Sequence, residues 1–264
     1  AAGTWIKVWP AALLAAAVVA VRRRLAIVGG ALIVSAATIA VVLALGGGRY
    51  LFGFITDQTG RGLQIEAPVS APYMWFAALD VLDSRVYYAS DLLTFQVSGP
   101  GVNEVIAVMT PLLAASVLAL LLLGLWGVRR GAPVVRLYPA LAFALVLALI
   151  VVNKVGSPQY MTWIVAPIVL GLVIDRATWL RPAAFAVVTG LLTQIVYPIF
   201  YNFLMTDHPD PGVVALLTVR NLALVVMFVW SVIHLVRVAR NPESGAGRLA
   251  SHKRPASVIE RFPS

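Results

Sequence analysis

Seven stretches of this chain consist almost entirely of apolar residues, which constrains the fold more than any other feature. A membrane-spanning helix needs roughly 20 mostly apolar residues, and the runs are continuous rather than alternating, as helices require. One run is short and contains Pro167 after Pro158, which predicts a broken or tilted helix. The predicted spans are approximately residues 5–21, 25–45, 105–128, 134–152, 161–174, 183–203 and 213–236.

The composition supports a membrane protein and excludes several other classes. Hydrophobic residues make up 61% of the chain and charged residues 12%, whereas a soluble domain is about half apolar and a quarter charged. There is no cysteine, so disulfides and thiolate metal sites are excluded. The three histidines are scattered, so we expect no metal site and no cofactor. The prediction is an all-α polytopic membrane protein with about seven transmembrane helices.

The basic residues predict the orientation of the chain. Cytoplasmic loops are enriched in Lys and Arg, and alternate connections between the predicted spans carry fourteen of the twenty basic residues. We therefore expect the N-terminus outside, the C-terminus in the cytoplasm and the protein in the plasma membrane. The net charge of +9 is then a consequence of topology, and nucleic acid is not an expected partner. The fourteen residues are Arg22, Arg23, Arg24, Arg129, Arg130, Arg136, Arg176, Arg181, Arg237, Arg240, Arg248, Lys253, Arg254 and Arg261.

Two segments lie outside the predicted spans. Residues 46–104 form the longest outer loop and mix aromatic clusters with acidic residues, which predicts short helices at the membrane surface. Residues 241–264 carry Pro, Ser, Gly and scattered Arg without apolar periodicity, which predicts a disordered cytoplasmic tail lying against anionic membrane lipids.

The first candidate site is "DQTGRGLQIE" in the outer loop. Two glycines let the backbone beside Arg61 turn sharply and approach a ligand closely. A helix starting after Gly62 would add an anion-binding corner, and Gln64 and Glu66 could hydrogen-bond sugar hydroxyls. Glu66 is also a weak candidate for a catalytic base. The alternative is an interfacial loop in which Arg61 and Glu66 form an ion pair.

The second candidate site is "NKVGSPQYMTW", also on the outer side. Gly156 and Pro158 break the helix and leave unpaired backbone groups, which are tolerated at membrane depth only inside protein or beside a polar cavity. We expect a polar cavity lined by Lys154, Ser157, Gln159 and Tyr160. The alternative is a lysine at the interface followed by an ordinary tight turn.

Two further basic residues are predicted on the same outer side of the membrane as these two segments. Arg220 lies near or inside the last span, where an arginine marks a functional site and needs a partner. The alternative places it in the outer headgroup layer. Lys7, between two tryptophans, is first an interfacial anchor and second a contributor to a phosphate site. Fixed positive charge, sugar-type hydrogen bonding and interfacial aromatics together suit a lipid-linked phosphate that carries a sugar.

Three motifs resemble those of one known family. "GRGLQIEA" in the outer loop and "NKVGSPQYMTWIVAP" two spans later are similar to segments of the actinobacterial polyprenol-phosphate-mannose-dependent mannosyltransferases. "WIKVWPAALL" resembles a mid-chain segment of the same family. The resemblance covers the chain up to about residue 240, and the family has the GT-C fold of glycosyltransferase family 87.

The resemblance implies an enzyme that transfers mannose from polyprenyl-phosphate-mannose to a glycolipid or lipoglycan on the extracytoplasmic face, with inversion and without a nucleotide cofactor. Related enzymes transfer arabinofuranose from decaprenyl-phosphate arabinose. The family's "RGLQ-x-E" and "KV-x-SPQY" stretches fall here on Arg61, Gln64, Glu66, Lys154, Ser157, Pro158, Gln159 and Tyr160. We assign Arg61, Lys154 and Arg220 to the donor phosphate, and Gln64, Glu66, Ser157, Gln159 and Tyr160 to the sugar or acceptor.

Two departures from the family pattern limit this assignment. Gln58 stands where family members often have a histidine. The family's catalytic aspartate lies in a first outer loop with no counterpart here. We therefore expect that aspartate upstream of Ala1, interpret the chain as the C-terminal part of a longer protein, and leave the catalytic base unknown.

Because the outer cavity of the isolated fragment would lack a wall, we predict that the fragment is inactive. Two other functions compete with the glycosyltransferase. One is a transporter or flippase for a lipid-linked sugar, for which internal repeats are expected but not found. The other is a membrane scaffold without a site.

Overall fold

The computed structural model of the protein describes residues 1–51 and 60–240, and the predicted disordered tail lies outside these residues. Most of the described chain is helical, with one antiparallel hairpin formed by β1 (Arg85–Ala89) and β2 (Thr94–Ser98). The α-helices are α1 (Ala2–Ile6), α2 (Pro10–Ala20), α3 (Arg24–Ala44), α4 (Ala71–Ala78), α5 (Val102–Arg129), α6 (Val134–Val151), α7 (Val165–Ile174), α8 (Arg176–Gln194) and α9 (Pro211–Arg240).

Five helices of the described chain are long and apolar enough to cross a membrane. They are α3, α5, α6, the stretch Arg176–Ile199 and α9. A multi-pass membrane protein is therefore supported, but the remaining two of the seven predicted spans are represented by shorter apolar helices, Pro10–Ala20 and Pro158–Ile174. Prolines at the start of both segments limit their length, because proline cannot donate the backbone hydrogen bond that a helix interior requires.

The sixth predicted span begins earlier than the sequence indicates. Helix α8 starts at Arg176 rather than near residue 183. Asp175 caps this helix by accepting a hydrogen bond from the backbone N–H of Thr178 at 3.3 Å. Arg176 and Arg181 therefore belong to the first turns of a helix, and the prediction that they lie in a loop is wrong.

Helix α6 forms the centre of the bundle. It packs against α2, α5, α7 and α9, and every residue from Pro139 to Ala148 is buried. A helix that is apolar all round is stable only when neighbours cover every face. Helix α3 is the opposite case, because it is equally apolar but has no buried residue, so its side chains face the surroundings of the bundle.

Helices α6 and α8 run in the opposite direction to α5 and α9, which gives the bundle two different ends. Helices α6 and α8 end where α5 and α9 begin, and we call this the cavity end. At the other end, a Cβ on Gly127 of α5 would lie 3.1 Å from Ala239 of α9 and 3.3 Å from Leu137 of α6. We call this the arginine end, after its residues Arg129, Arg130, Arg136, Arg176, Arg181, Arg237 and Arg240.

The segment predicted as a loop with interfacial helices contains one short α-helix, α4, among its described residues, and residues 85–98 form the β-hairpin. The position of α4 at a membrane surface stays a prediction. Arg85 pairs with Ser98 and Ala89 with Thr94. Val86 and Val97 face each other across the hairpin and are both buried. Branched and aromatic residues favour a pleated, half-buried surface. Of the three aromatic clusters, "VYY" and "LLTF" therefore fall on the hairpin, whereas "YMWF" lies in α4.

Candidate functional site

A cavity of about 560 Å³ opens at the cavity end of the bundle. We call it the main cavity. Six of the eight predicted site residues line it, although they come from two segments separated by about ninety positions. These six are Arg61, Gln64, Glu66, Ser157, Gln159 and Tyr160. The structure therefore brings together the two segments that the sequence singles out, which is the polar cavity predicted around Pro158.

Direct contacts join the two segments. The backbone N–H of Gln64 donates to the carbonyl of Lys154 at 3.0 Å. The backbone N–H of Gly156 donates in return to Oε1 of Gln64 at 3.2 Å. Gly156 also lies so close to the chain that a Cβ there would be 2.3 Å from the carbonyl carbon of Glu66. Glycine is required because the two backbones touch, so the predicted ordinary tight turn after a surface lysine is wrong.

The hairpin holds the first segment from the other side. The N–H of Val97 donates to the carbonyl of Leu63 at 2.9 Å, and the N–H of Ile65 donates to the carbonyl of Phe95 at 3.3 Å. Residues 63–65 thus pair with β2 through an isolated antiparallel bridge, in which Gln64 lies opposite Gln96. No helix begins directly after Gly62, so the predicted anion-binding corner of helix amides is wrong.

Arg61 stands in the wall between two cavities. It lines the main cavity and also a second cavity of about 710 Å³, which lies between the hairpin and the start of α5 and which we call the hairpin cavity. Its Nε atom is buried and has no hydrogen-bond partner among the described residues. The predicted ion pair of Arg61 with Glu66 is absent from the described chain. The Arg61 guanidinium is therefore positioned for an anion in either cavity.

Glu66 lies at the back of the main cavity. Its Oε1 accepts a hydrogen bond from the hydroxyl of Tyr201 at 2.9 Å, and its Oε2 is 3.9 Å from Nη2 of Arg220. Burial raises the pKa of the Glu66 carboxyl, and the opposing effects of Arg220 and Tyr201 are smaller. Both oxygens thus face partners within the protein, although the residue still lines the cavity.

The catalytic aspartate that the family resemblance implies upstream of Ala1 lies outside the described residues and stays a prediction. Ala1 itself is exposed and precedes the short helix α1 as its N-cap. It does not line the main cavity. Within the described chain, Glu66 is the carboxylate that lines this cavity.

Arg220 lies on α9 and its side chain is buried within the protein, with 3% of its surface exposed. Its Nη1 donates to the main-chain oxygen of Glu66 at 3.2 Å and to Oδ1 of Asn221 at 2.8 Å. Its Nε donates to the hydroxyl of Thr193 at 3.2 Å. Arg220 has the partners that an arginine at this depth needs, but it does not line the main cavity. This placement favours a supporting role.

Lys154 also lies behind the cavity wall rather than in it. Its side chain is buried, and burial lowers the pKa of its ammonium group. Its carbonyl holds the backbone of Gln64. A direct contact of Lys154 with the donor phosphate stays a prediction, and its position favours a supporting role here too.

An aromatic wall closes the main cavity toward the N-terminal helices. Tyr160 packs on Trp163 with ring centroids 3.9 Å apart, and Trp163 stacks on Trp9 at 5.9 Å. Lys7 donates a hydrogen bond to Oε1 of Gln159. Ring stacking and this hydrogen bond thus tie the wall of the cavity to the segment that begins the chain.

Four residues of this region are not found by the sequence reasoning. Tyr197 and Tyr201 line the main cavity, and Thr193 and Asn221 bind Arg220. One signal was available, since Thr189 and Thr193 are polar residues four positions apart in an apolar helix and therefore share one face. The two tyrosines fall in a stretch predicted as an ordinary span end.

The main cavity can therefore bind an anion at Arg61 and neutral hydroxyl groups at Ser157, Gln159 and Tyr160, beside an aromatic wall. Such a combination suits a phosphate joined to a polyhydroxylated group. Comparison of the chain with protein-family models, with curated proteins and with solved structures finds no match.

Proposed function

We propose that the protein is a membrane glycosyltransferase that uses a polyprenyl-phosphate sugar as donor. In this proposal it transfers mannose to a glycolipid or lipoglycan acceptor on the extracytoplasmic face of the plasma membrane. The observation that carries the proposal is Arg61, whose side chain borders a cavity with sugar-binding residue types and whose buried Nε atom has no partner in the described part of the chain. The resemblance of the two motifs that meet in this cavity supports it independently.

The proposed reaction is a single displacement. An acceptor hydroxyl oxygen forms a bond to the anomeric carbon while the bond from that carbon to the phosphate oxygen breaks. The electron pair of the breaking bond stays on the polyprenyl phosphate, and the configuration at the anomeric carbon inverts. Arg61 stabilises the negative charge of the leaving phosphate, an interaction that strengthens as the bond breaks and therefore lowers the barrier.

The proton of the acceptor hydroxyl passes to a carboxylate. Glu66 lines the main cavity, but its two oxygens already face Tyr201 and Arg220. We therefore assign Glu66 to positioning, together with Arg220 and Lys154, and expect the base to be a carboxylate upstream of Ala1.

The other residues of the main cavity bind the sugar in this proposal. Ser157, Gln159 and Tyr160 supply hydrogen bonds to its hydroxyl groups. Gln64 anchors the second segment through its hydrogen bond from Gly156. In this proposal the first motif therefore binds the phosphate and the second motif binds the sugar.

The hairpin cavity offers room for the acceptor. It shares Arg61 with the main cavity, and Tyr87, Asp91 and Asn103 give it polar lining. Inversion requires the acceptor hydroxyl to attack from the face of the anomeric carbon away from the phosphate that Arg61 holds. The hairpin cavity therefore holds only the remote part of the acceptor, and the reacting hydroxyl enters the main cavity from the face opposite Arg61. The proposal holds for a mannose or an arabinofuranose donor alike.

The test is a transfer assay with the complete native protein in liposomes. The donor is polyprenyl-phosphate-mannose with labelled sugar, and the acceptor is a glycolipid fraction from the source membrane. We expect Arg61→Ala to lower kcat by roughly a hundredfold or more, the usual effect of removing one charge-stabilising donor. The matched control is Arg85→Ala, because Arg85 is a half-exposed arginine of the hairpin whose only ion pair is to Asp83 in the described chain.

Each outcome has a definite meaning. Transfer that falls with Arg61→Ala but not with Arg85→Ala supports the proposal. Transfer at the wild-type rate in Arg61→Ala contradicts it. Movement of the labelled donor lipid across the liposome bilayer without any transfer would instead support a transporter. Replacing the donor with decaprenyl-phosphate arabinose distinguishes the two sugar classes.

A further inference from the structure

We propose that the arginine end of the bundle carries a second anion site, which binds the phosphate headgroup of an anionic membrane phospholipid. A cavity of about 330 Å³ lies there between the start of α6, the start of α8 and the end of α9. We call it the arginine-end cavity. It shares no residue with the main cavity, and the 18-residue length of α6 places the two about 27 Å apart.

Two arginines from different helices converge on this cavity. Arg136 comes from the first turn of α6 and Arg237 from the last turns of α9, and both line it. The guanidinium group of neither arginine forms a hydrogen bond or an ion pair with any residue of the described chain. Two guanidinium groups brought together without a carboxylate between them repel each other, unless an anion lies between them. A phosphate provides that anion, because its oxygens match the donor geometry of guanidinium.

The acidic residue of the cavity is already engaged. Asp175 lines it, but its Oδ1 accepts from the backbone N–H of Thr178 and its Oδ2 accepts from the Thr178 hydroxyl at 2.9 Å. This carboxylate therefore caps α8 and does not pair with Arg136 or Arg237. One carboxylate against two arginines leaves the cavity with a positive charge.

The remaining lining is held rigid by aromatic packing. His234 stacks on Trp230 with ring centroids 4.9 Å apart and meets the edge of Trp179 at 5.6 Å. Trp179, 3% exposed, also contacts Phe143 in the central helix. A binding site gains affinity when its walls are ordered before the ligand arrives. The cavity is therefore a formed pocket and not a chance group of surface arginines.

The location favours a lipid over a soluble phosphate. Both arginines lie in helices that are long and apolar enough to cross a membrane, and they occupy the ends of those helices. Headgroup phosphates lie at that depth at high local concentration, and basic pockets between transmembrane helices bind them. Arg129, Arg176, Arg181 and Arg240 at the same end add to the attraction.

The test is native mass spectrometry of the complete protein in detergent, titrated with phosphatidylglycerol and, in parallel, with phosphatidylcholine. We expect phosphatidylglycerol to bind more tightly than phosphatidylcholine. Removal of two basic contacts in the double variant Arg136→Ala/Arg237→Ala is expected to weaken phosphatidylglycerol binding roughly thirtyfold. The matched control is Arg129→Ala/Arg181→Ala, which removes the same charge from the same end but touches neither the cavity nor its lining.

Equal loss of affinity in both double variants would show that general surface charge attracts the lipid, and would overturn the proposal. A third titration with inorganic phosphate distinguishes the source of the anion. Phosphate binding as tight as that of phosphatidylglycerol would overturn the assignment to a lipid. If the double variant does not fold, Arg237→Gln alone serves, because Arg237 is exposed and its replacement disturbs no packing. The transferase proposal is unaffected by either result, since it rests on the opposite end of the bundle.

Discussion

Arg220 donates a hydrogen bond from Nη1 to the main-chain oxygen of Glu66 at 3.2 Å, linking positions 154 residues apart. Its Nη2 lies 3.9 Å from the carboxylate of the same residue. One arginine in α9 therefore fixes both the backbone and the side chain at the back of the main cavity. The position of the first site segment depends on this contact as much as on the local sequence.

Loss of Arg220 is expected to destabilise the protein strongly. Arg220→Met removes the buried positive charge and leaves the carboxylate of Glu66 without its counter-charge. Breaking a buried ion pair from one side costs roughly 3–5 kcal/mol. The unfolding free energy of the purified protein in detergent, followed by tryptophan fluorescence, measures this at a pH where Glu66 is ionised.

The double variant Arg220→Met/Glu66→Gln provides the control for that measurement. Glutamine keeps a hydrogen-bonding group for Tyr201 but carries no charge to leave uncompensated. We expect the double variant to be more stable than Arg220→Met alone. Equal stability of the two variants would mean that the hydrogen bonds of Arg220 to Glu66, Asn221 and Thr193, and not its charge, stabilise the protein.

The helices that the sequence predicts best are those whose apolar runs have clear ends. Helices α3, α5, α6 and α9 begin and end within four residues of their predicted bounds. The predicted span 183–203 does not, because Asp175 starts α8 early and residues Ile195–Ile199 leave the α-helical pattern. Apolar content indicates where a chain can enter a membrane, but capping and prolines decide where each helix begins and ends.

For the site too, the local sequence predicts some features and misses those that depend on distant residues. The glycines and prolines beside Arg61 and Tyr160 mark the two segments, and the sequence predicts a polar cavity there. Whether Arg220 and Lys154 line the main cavity depends on which side of the cavity wall each side chain lies. That choice depends on Thr193, which binds Arg220, and on Gln64, whose backbone N–H binds the carbonyl of Lys154. Both partners lie far away along the chain, so no local pattern contains it.

The stability of the protein is expected to depend on pH through Glu66. Burial raises the pKa of its carboxyl in the folded state above the ordinary value of 4.5. The folded protein therefore holds this proton to higher pH than the unfolded chain does, and its stability falls as pH rises through the folded-state pKa. The stabilisation that this group contributes is fully present at pH values below its pKa in the unfolded chain. Thermal unfolding of the wild type and of Glu66→Gln, measured in parallel from acid to neutral pH, checks this.

The comparison with Glu66→Gln isolates one group, since all other titrating residues are shared. We expect the difference in unfolding free energy, wild type minus variant, to decrease as pH rises. A difference that increases with pH would mean that Arg220 and Tyr201 outweigh burial and lower the pKa instead.

Substitution of Gly156 is expected to separate the two site segments. A Cβ at this position would lie 2.3 Å from the carbonyl carbon of Glu66 and 2.4 Å from the backbone nitrogen of Ala67. Backbone atoms cannot rotate away as a side chain can, so Gly156→Ala must displace one segment. Overpacking of this kind costs about 1–3 kcal/mol, and the melting temperature in detergent measures it.

The matched control is Gly190→Ala in α8, where nothing lies within 4 Å of the added Cβ. Alanine there raises helix propensity by about 0.8–1.0 kcal/mol over glycine. We therefore expect opposite signs for the two glycine-to-alanine changes. A Gly156→Ala protein as stable as the wild type would contradict the close approach of the two backbones.

The stacked pair of Trp9 and Trp163 is expected to couple the N-terminal helices to the main cavity. The rings are 5.9 Å apart and inclined by 14°, and Trp163 in turn supports Tyr160 in the cavity wall. Aromatic pairs contribute about 0.5–1.5 kcal/mol beyond the area that they bury. A double-mutant cycle of Trp9→Leu, Trp163→Leu and the combined variant, measured by unfolding in detergent, should show this coupling energy. Strictly additive effects would mean that the N-terminal helices and the cavity wall are independent, and that the short helix α2 does not hold the wall in place.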